Sequence, residues 1–389
     1  MSWNRPVITP LVEPSPPVVR RWISALLVLI FSCFSGRIFF PTGIPLPGLQ
    51  LTLNTNWPLI ATSLGLLWIL VLGIRFYFYG HRLECYRLWQ DECSKADEAW
   101  RLWASRYMAI IKSGVLLPGQ ITASMIYSAE SDIEVSTGLI KHIDSFPKEL
   151  APRVSLLLSS VANEIMALPG EISLNVTLMV NESLNNEAVV NDAFMQGWQQ
   201  HIGNLYTWQR LTIVNSLSPM VMEDWIKSPA PEATLLLVAQ RSDMDEFSDG
   251  LAVMLLINDD HAQRWGFGGQ TKIYRPMVID KDQMALQYQL FINTQPPARA
   301  AKGLLLSDGE GSLHAADILQ QSLDGKGNLD VSLVRNLESF IGPSGPAGSW
   351  LALALAADLA LTHQDNYTVL AQDDSQWTVS TIQPSLEHH

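Results

Sequence analysis

The residue types that most often carry nucleophilic or metal chemistry are few and scattered in this sequence. Its cysteines are Cys33, Cys85 and Cys93, and no Cys-x-x-Cys pair or Cys/His cluster occurs, so no zinc site is predicted. No ligand spacing links the six internal histidines, which are His81, His142, His201, His261, His314 and His363. The terminal Leu-Glu-His-His is typical of an expression remnant and is set aside. We predict no metal site, no cofactor and no conventional catalytic set.

Catalysis by a serine would require several distant residues to converge, because a hydroxyl becomes a nucleophile only beside a base. The candidates for such a site are Ser216, Ser218, Ser344 and His261. Two carboxylate pairs, Asp259-Asp260 and Asp373-Asp374, flank predicted strand ends and are interpreted as solvated turns. Residues 266–269, Gly-Phe-Gly-Gly, lack the Lys-Ser/Thr pair of a phosphate-binding loop.

Two apolar runs precede all of these candidates except Cys33, which lies within the first run. Residues 22–40 and 57–74 each have about the 20 residues that a helix needs to cross a bilayer core. Lys and Arg are absent from residues 41–56, between the two runs, but occur just before the first run and just after the second. Basic residues favour the cytoplasmic side of a membrane. We predict a cytoplasmic Pro-rich tail (1–21), transmembrane helices (22–40 and 57–79) and a periplasmic loop (41–56) in a bacterial inner membrane, with both termini and the main domain in the cytoplasm.

The segment after the second run has the pattern of an amphipathic helix, predicted over residues 80–113. Aromatic and small residues recur there at steps of three and four, including Trp89, Trp100, Trp103 and Tyr107. This stripe either packs on the chain's own soluble domain or forms a surface for self-association or a partner. Bulky Trp and Tyr fit a tight two-stranded zipper poorly, which favours internal packing.

The soluble part of the chain is strongly acidic. Residues 111–389 contain 15 Lys and Arg and 32 Asp and Glu, a formal net charge of 15 − 32 = −17, against −13 for the whole chain. Such a surface repels nucleic acid and anionic lipid, so nucleic acid is excluded as a partner. Neutral or basic protein surfaces are the more compatible partners.

Residues 114–389 alternate between strand and helix patterns, which favours a layered α/β domain. Strands are predicted within 171–180, 211–215, 234–239, 250–257, 303–307, 367–371 and 377–382. Helices are predicted within 148–168, 186–201, 218–227, 314–323 and 345–362. The order repeats, so we predict two similar halves at about residues 170–260 and 301–385. The Ala-rich helix at 350–361 is too short to span a bilayer and is predicted to be buried.

This pattern resembles the thiolase and β-ketoacyl synthase superfamily, in which two β-α repeats pack around a buried helix from each half. The resemblance rests on the paired apolar strands 234–239 and 250–256, the Gly-rich turn and Ala-rich helix of 342–355, and the closing hairpin 367–382. It implies a cysteine nucleophile at the start of the first buried helix and a histidine in the Gly-rich turn of the second half. No cysteine follows Cys93, Pro343 and Ser344 occupy that turn, and the closing loop is 372–376. We therefore predict a pseudoenzyme.

The overall plan is similar to that of membrane-tethered accessory proteins of type VI secretion gene clusters. It predicts a non-catalytic adaptor or chaperone that holds a protein partner, either a secreted effector or a secretion component, at the inner membrane. Two alternatives remain open at this point. One is a membrane-associated acyl transferase with a non-standard site, and the other is an immunity protein against a membrane-directed toxin.

Overall fold

The computed structural model describes residues 3, 5, 9–39, 44–45, 52–53, 56–128, 138–143, 149–181, 187–242, 246–267, 269–325, 327–373 and 376–385. The chain divides into two compact units: residues 6–98, here the N-terminal unit, and residues 1–5 with 99–389, here the α/β unit. Most of the predicted periplasmic loop, part of the Gly-Phe-Gly-Gly segment and the centre of residues 372–376 lie outside the described residues.

The N-terminal unit contains two long helices, α1 (Val19–Phe39) and the first part of α2 (Trp57–Ala104). A two-residue strand pair, β1 (Ile44–Pro45) and β2 (Thr52–Leu53), lies between them in the chain. The rings of Trp22 and Trp68 are 6.3 Å apart, and Gly36 lies directly against the indole of Trp57. The two helices therefore pack antiparallel. Both are long and apolar enough to cross a membrane, as the sequence predicts.

The α/β unit is built around one large mixed sheet. Its strands are β3 (Tyr107–Leu116), β4 (Ser173–Val180), β5 (Trp208–Val214), β6 (Glu232–Gln240), β7 (Gly250–Asn258), β8 (Thr271–Tyr274), β9 (Met277–Ile279), β10 (Gly303–Leu306), β11 (Val334–Asn336), β12 (Tyr367–Asp373) and β13 (Gln376–Pro384). Its further helices are α3 (Ala123–Ser128), α4 (Leu150–Met166), α5 (Glu187–His201), α6 (Met222–Lys227), α7 (Asp259–Trp265), α8 (Met284–Thr294), α9 (Pro296–Arg299), α10 (Gly311–Asp324), α11 (Glu338–Ile341) and α12 (Gly348–His363).

The strand order contains an internal repeat. It runs β11-β10-β12-β13-β8-β3-β7-β6-β4-β5, with β9 paired to β13. In the first half, β4 is parallel to β5 and β6, and β6 is antiparallel to β7. In the second half, β10 is parallel to β11 and β12, and β12 is antiparallel to β13. The predicted duplication is confirmed, and β3 and β8 connect the two halves.

Helix α12 forms the centre of the core, as predicted for the Ala-rich segment. Nearly every residue from Gly348 to Ala360 is buried, so the helix has no polar face. Strand β6 shows the layering, since Leu236 and Val238 pack in the cluster around α12. Leu235 and Leu237 belong to the cluster under α4 and α5 on the opposite face. Helix α12 thus lies on the inner side of the sheet, and α4 and α5 cover the outer side of the first half.

The prediction of a continuous helix over residues 80–113 is wrong for the residues after Ala104. Helix α2 ends at Ala104, and the chain then forms β3, which pairs with β7 and β8. Met108, Ala109 and Ile110 are almost fully buried. A short apolar run bordered by aromatic residues satisfies a helical spacing and a strand equally well, and sheet pairing decides between them. The α/β unit therefore begins near residue 99, before the predicted boundary at 114.

Candidate functional site

The carboxyl ends of the parallel strands of both halves meet at the N-terminus of α12. Gln240 ends β6 and is hydrogen-bonded to the loop before α12. Ser307 follows β10, and its hydroxyl accepts a hydrogen bond from the backbone N–H of Gln372 in β12. Ligands of α/β sheets usually bind at such an edge. We call Gln240, Ser307, Glu338 and the loop 342–347 the α12 junction.

Gln240 uses its whole side-chain amide to connect the two halves. Its Nε2 donates to the carbonyl oxygens of Ser248 (2.9 Å) and Ser344 (2.7 Å). Its Oε1 accepts from the N–H of Ala347 at 2.8 Å. The residue is buried, and a buried amide is stable only when its polar atoms are paired. Gln240 therefore fixes the loop before α12 on the end of β6.

Glu338 makes a second connection inside the second half. Its Oε1 accepts from the backbone N–H of Ser344 (3.0 Å) and from the Ser344 hydroxyl (3.2 Å). Its Oε2 accepts from the N–H of Gly309 at 2.7 Å. The carboxylate thus joins the loop before α10 to the loop before α12 and holds the Ser344 hydroxyl in place.

The protein's own main chain fills the α12 junction. Gly342 has a φ of 82°, and a Cβ there would collide with the carbonyl oxygen of Leu139. Residues 138–143 lie over the junction, because the N–H of Lys141 donates to Ser248 Oγ (3.0 Å) and its Nζ donates to Phe340 O (3.2 Å). Among the described residues, this segment therefore covers part of the α12 junction.

Three N–H groups in the first turn of α12 donate within the chain. The N–H of Gly348 donates to Gly345 O, and the N–H groups of Trp350 and Leu351 donate to Ala347 O, each at 3.0 Å. The buried indole of Trp350 donates to Leu217 O at 2.7 Å. An oxyanion site needs N–H groups that point at the developing charge, and these three are already used. The arrangement of the described residues is suited to holding two halves together.

A histidine–carboxylate pair lies at the edge of the junction. His142 Nδ1 is 3.3 Å from Asp249 Oδ1, and Asp249 Oδ2 also accepts from the N–H of Ile143 at 3.1 Å. An imidazole oriented by a carboxylate can serve as a general base. Sequence reasoning left both residues unassigned, because 107 positions separate them and neither belongs to a motif.

The serines and the histidine proposed for a hydrolytic or acyl-transfer site do not converge. Ser344 lies at the junction, Ser216 is exposed, and Ser218 accepts a hydrogen bond from the N–H of Met220 at 3.4 Å. His261 follows the far end of β7, nine residues and roughly 26 Å from the end that meets α12. Among the residues that the structure describes, no histidine hydrogen-bonds to these serines.

The four residues of the aromatic stripe have different surroundings. Trp103 lies 5.2 Å from Trp100, ring to ring, and its ring faces the guanidinium of Arg275 at 4.0 Å. Tyr107 lies on β3, with its ring 5.7 Å from that of Tyr274. Trp89 belongs to the N-terminal unit and is 40% exposed. The first three therefore contact residues of the α/β unit itself.

Asp259 is a buried ion-pair partner, which corrects the prediction of a solvated turn. Both of its carboxylate oxygens accept from Arg106 Nε, at 2.6 and 2.8 Å, while the exposed Asp260 accepts from Arg106 Nη2 at 2.6 Å. These bonds, the one to Asp259 above all, raise the pKa of Arg106. Burial lowers the pKa of Arg275, which lies 3.3 Å from Glu223. The sequence gives no signal for this cluster of charged residues (Arg106, Glu223, Asp259, Asp260 and Arg275), because its members come from four separate segments.

Comparison with known proteins gives distant structural likenesses only. A scan against protein-family models and a search of curated proteins gave no match. The chain is similar to a complex of a type II polyketide-synthase acyl-carrier protein and its ketosynthase (11% identity, TM-score 0.49, covering 72% of this chain and 99% of that chain). It is also similar to 3-oxoacyl-acyl-carrier-protein synthase III from Aquifex aeolicus (12%, 0.45, 71% and 99%). A third likeness is to OleA from Xanthomonas campestris (9%, 0.44, 72% and 99%). The duplicated strand order and the buried helix α12, rather than these scores, support a thiolase-like description of the α/β unit.

Proposed function

We propose that this chain is a membrane-anchored, non-catalytic adaptor whose thiolase-like α/β unit holds a protein partner. The observation that carries the proposal is the α12 junction, where Gln240, Glu338 and the segment 138–143 occupy the strand ends. A group-transfer site at this edge would need space for a substrate and free donors for its charge. At this edge the segment 138–143 covers the junction, and the N–H groups of Gly348, Trp350 and Leu351 already donate within the chain.

The first half supports the same proposal. The resemblance to thiolases implies a buried helix with a cysteine at its start, and the matching crossover here runs from β5 to β6. That crossover, residues 215–231, contains only a short turn at Pro219–Val221 and the six-residue helix α6. It contains no cysteine. Covalent acyl transfer requires an activated nucleophile, so the fold is retained here for a different use.

Charge and the two apolar helices support the proposed location and partner class. We place α1 and the apolar part of α2 in a bacterial inner membrane, with the α/β unit in the cytoplasm. The net charge of −17 over residues 111–389 suits a neutral or basic protein surface. The proposed partner is an effector or component of type VI secretion, whose local concentration at the membrane the anchor would raise.

The test is affinity capture of the full chain from detergent-solubilised membranes of its host. A photo-crosslinking side chain at exposed Thr212 on edge strand β5 is compared with one at exposed Leu323 at the end of α10. Recovery of a type VI secretion component or a secreted effector from either position supports the proposal. Recovery of neither class from a host that expresses its secretion system contradicts it.

The pair His142–Asp249 favours one second candidate, a membrane-associated acyl transferase. In that function His142 would take a proton from an attacking hydroxyl while Asp249 orients the ring. The acyl group would pass directly from a thioester to that hydroxyl, and the thiolate would leave as a thiol with the proton from His142. The full chain is assayed with acyl-CoA beside His142→Ala and the control His314→Ala. Turnover that only His142→Ala abolishes establishes the enzyme and removes the adaptor proposal.

A further inference from the structure

A groove in the N-terminal unit lies between the Pro-rich tail and α2. It has a volume of about 560 Å³, and its walls are residues 11–15 of the tail and one stretch of α2 between Arg75 and Tyr86. Neither the proposed adaptor role nor the sequence motifs assign this groove.

The wall formed by α2 has an unusual composition. Arg75, Tyr79, Arg82 and Tyr86 follow each other at steps of four, three and four, so they share one helix face. From the first to the last, the stripe extends about 16 Å at 1.5 Å per residue. His81 and Cys85 also line the groove. Two guanidinium groups and two phenol rings therefore face the tail along three turns.

The position of the stripe along the helix indicates its environment. Arg75 directly follows the apolar run 57–74, and the antiparallel packing of α1 on α2 brings Arg20 and Arg21 to the same end of the helix pair. In a bilayer this end coincides with the headgroup layer, where Tyr and Arg are the preferred side chains. The tail contributes apolar Leu11 and Val12 to the opposite wall.

We propose that this groove binds the phosphodiester headgroup of an anionic phospholipid, an inference that rests on the proposed membrane anchoring. Arg75 and Arg82 provide planar donors that match phosphate oxygens. Glu13 lines the same groove, so these three groups leave one positive charge in excess, which matches a monoanionic phosphodiester. The two phenols supply further donors, and Leu11 and Val12 face the glycerol end of the lipid.

The experiment uses the full chain in nanodiscs of phosphatidylcholine with a minor fraction of phosphatidylglycerol. Lipids that remain bound after detergent extraction are quantified by mass spectrometry for the wild type, for Arg75→Gln/Arg82→Gln and for a control, Arg87→Gln/Arg101→Gln. The control removes two exposed guanidinium groups from the same helix outside the groove. We expect roughly tenfold enrichment of phosphatidylglycerol in the wild type and the control, and loss of the enrichment in the groove variant.

Equal losses in both double variants, or no enrichment in the wild type, overturn the inference. Excess inorganic phosphate is added in a parallel arm, and if it displaces the lipid, the groove is a general phosphate site and the inference also fails. Failure of the anchoring is seen separately, because alkaline carbonate would then remove the wild-type chain from membranes. Failure of the adaptor role would leave the lipid result unchanged.

Discussion

The two halves of the α/β unit share a strand order but differ in one crossover. Between β5 and β6 the first half has the six-residue helix α6, whereas between β11 and β12 the second half has the short helix α11 and the 16-residue helix α12. The largest core cluster contains α12 together with residues of β3, β6, β7 and β12. Among the described residues, α12 is therefore the main helix on the inner side of both halves. The crossover of the first half contributes only the short helix α6 to this core.

The largest effect that would test this asymmetry is expected from the two crossover tryptophans. Trp350 on α12 is fully buried, and Trp225 on α6 is half-buried, with their rings 6.0 Å apart. Trp350→Ala should lower the free energy of unfolding by about 3–5 kcal/mol, because it leaves a cavity and an unpaired Leu217 carbonyl. Trp225→Ala should cost less than about 2 kcal/mol. Denaturant unfolding of the full chain in detergent measures both, and equal losses would show that the two crossovers carry equal weight.

A smaller effect should follow from removing the amide that connects the halves. Gln240→Ala leaves the N–H of Ala347 and two carbonyl oxygens without their partner, which should cost about 1–3 kcal/mol. The matched control is Gln209→Ala on edge strand β5, where the side chain is exposed. Hydrogen exchange of residues 344–351 should accelerate only in the first variant. Unchanged exchange there would mean that α12 is held by apolar packing alone.

The carboxylate within the second half should contribute less again. Glu338→Gln retains one carbonyl oxygen for three donors, so we expect a loss of about 1 kcal/mol. Glu310→Gln is the control, since that exposed side chain lies 3.5 Å from Lys281 at the surface. The same unfolding measurement compares them. An equal effect of the two substitutions would remove Glu338 from the account of the junction.

Much of the fold is predictable from the sequence, because its strongest patterns are local. The continuous apolar runs around Leu236 and Met254 predict strands buried on both faces, and both strands form. The Ala-rich run around Leu355 predicts a buried helix, and α12 is that helix. Strand β3 was predicted as helix because its pattern fits both structures. Only its pairing with β7 and β8 shows that the segment is a strand.

The α12 junction could not be predicted, because each of its contacts joins distant positions. Gln240 and Ala347 are 107 residues apart, as are His142 and Asp249. Polar residues at strand ends are common in turns, so type and local spacing do not identify the ones that meet. Ser344 was singled out by the resemblance to thiolases, but its partner Glu338 carries no motif. Asp259 was misassigned for the same reason, since Arg106 lies 153 positions away.

The smallest effect concerns the carboxylates of the two crossovers, which differ in their partners. Glu223 on α6 has two cationic neighbours, Lys227 at 2.7 Å and Arg275 at 3.3 Å. Asp358 on α12 accepts from the Ser113 hydroxyl at 2.8 Å, and burial raises its pKa although this hydrogen bond and Lys112 oppose the shift. The folded chain therefore binds this proton more tightly than the unfolded chain does.

The sign of the pH dependence follows from that difference in proton affinity. Stability contributed by protonated Asp358 is complete below the ordinary carboxyl pKa of about 4 and is lost as the pH rises through the higher pKa of the folded state. Asp358→Asn cannot ionise, so its free energy of unfolding should exceed that of the wild type at neutral pH, and the excess should shrink toward pH 4. Denaturant unfolding across this range, with exposed Asp317→Asn as the control, measures the trend. An excess that instead grows toward acid would mean that Asp358 is held ionised in the folded state, and its contrast with Glu223, which has two cationic neighbours, would disappear.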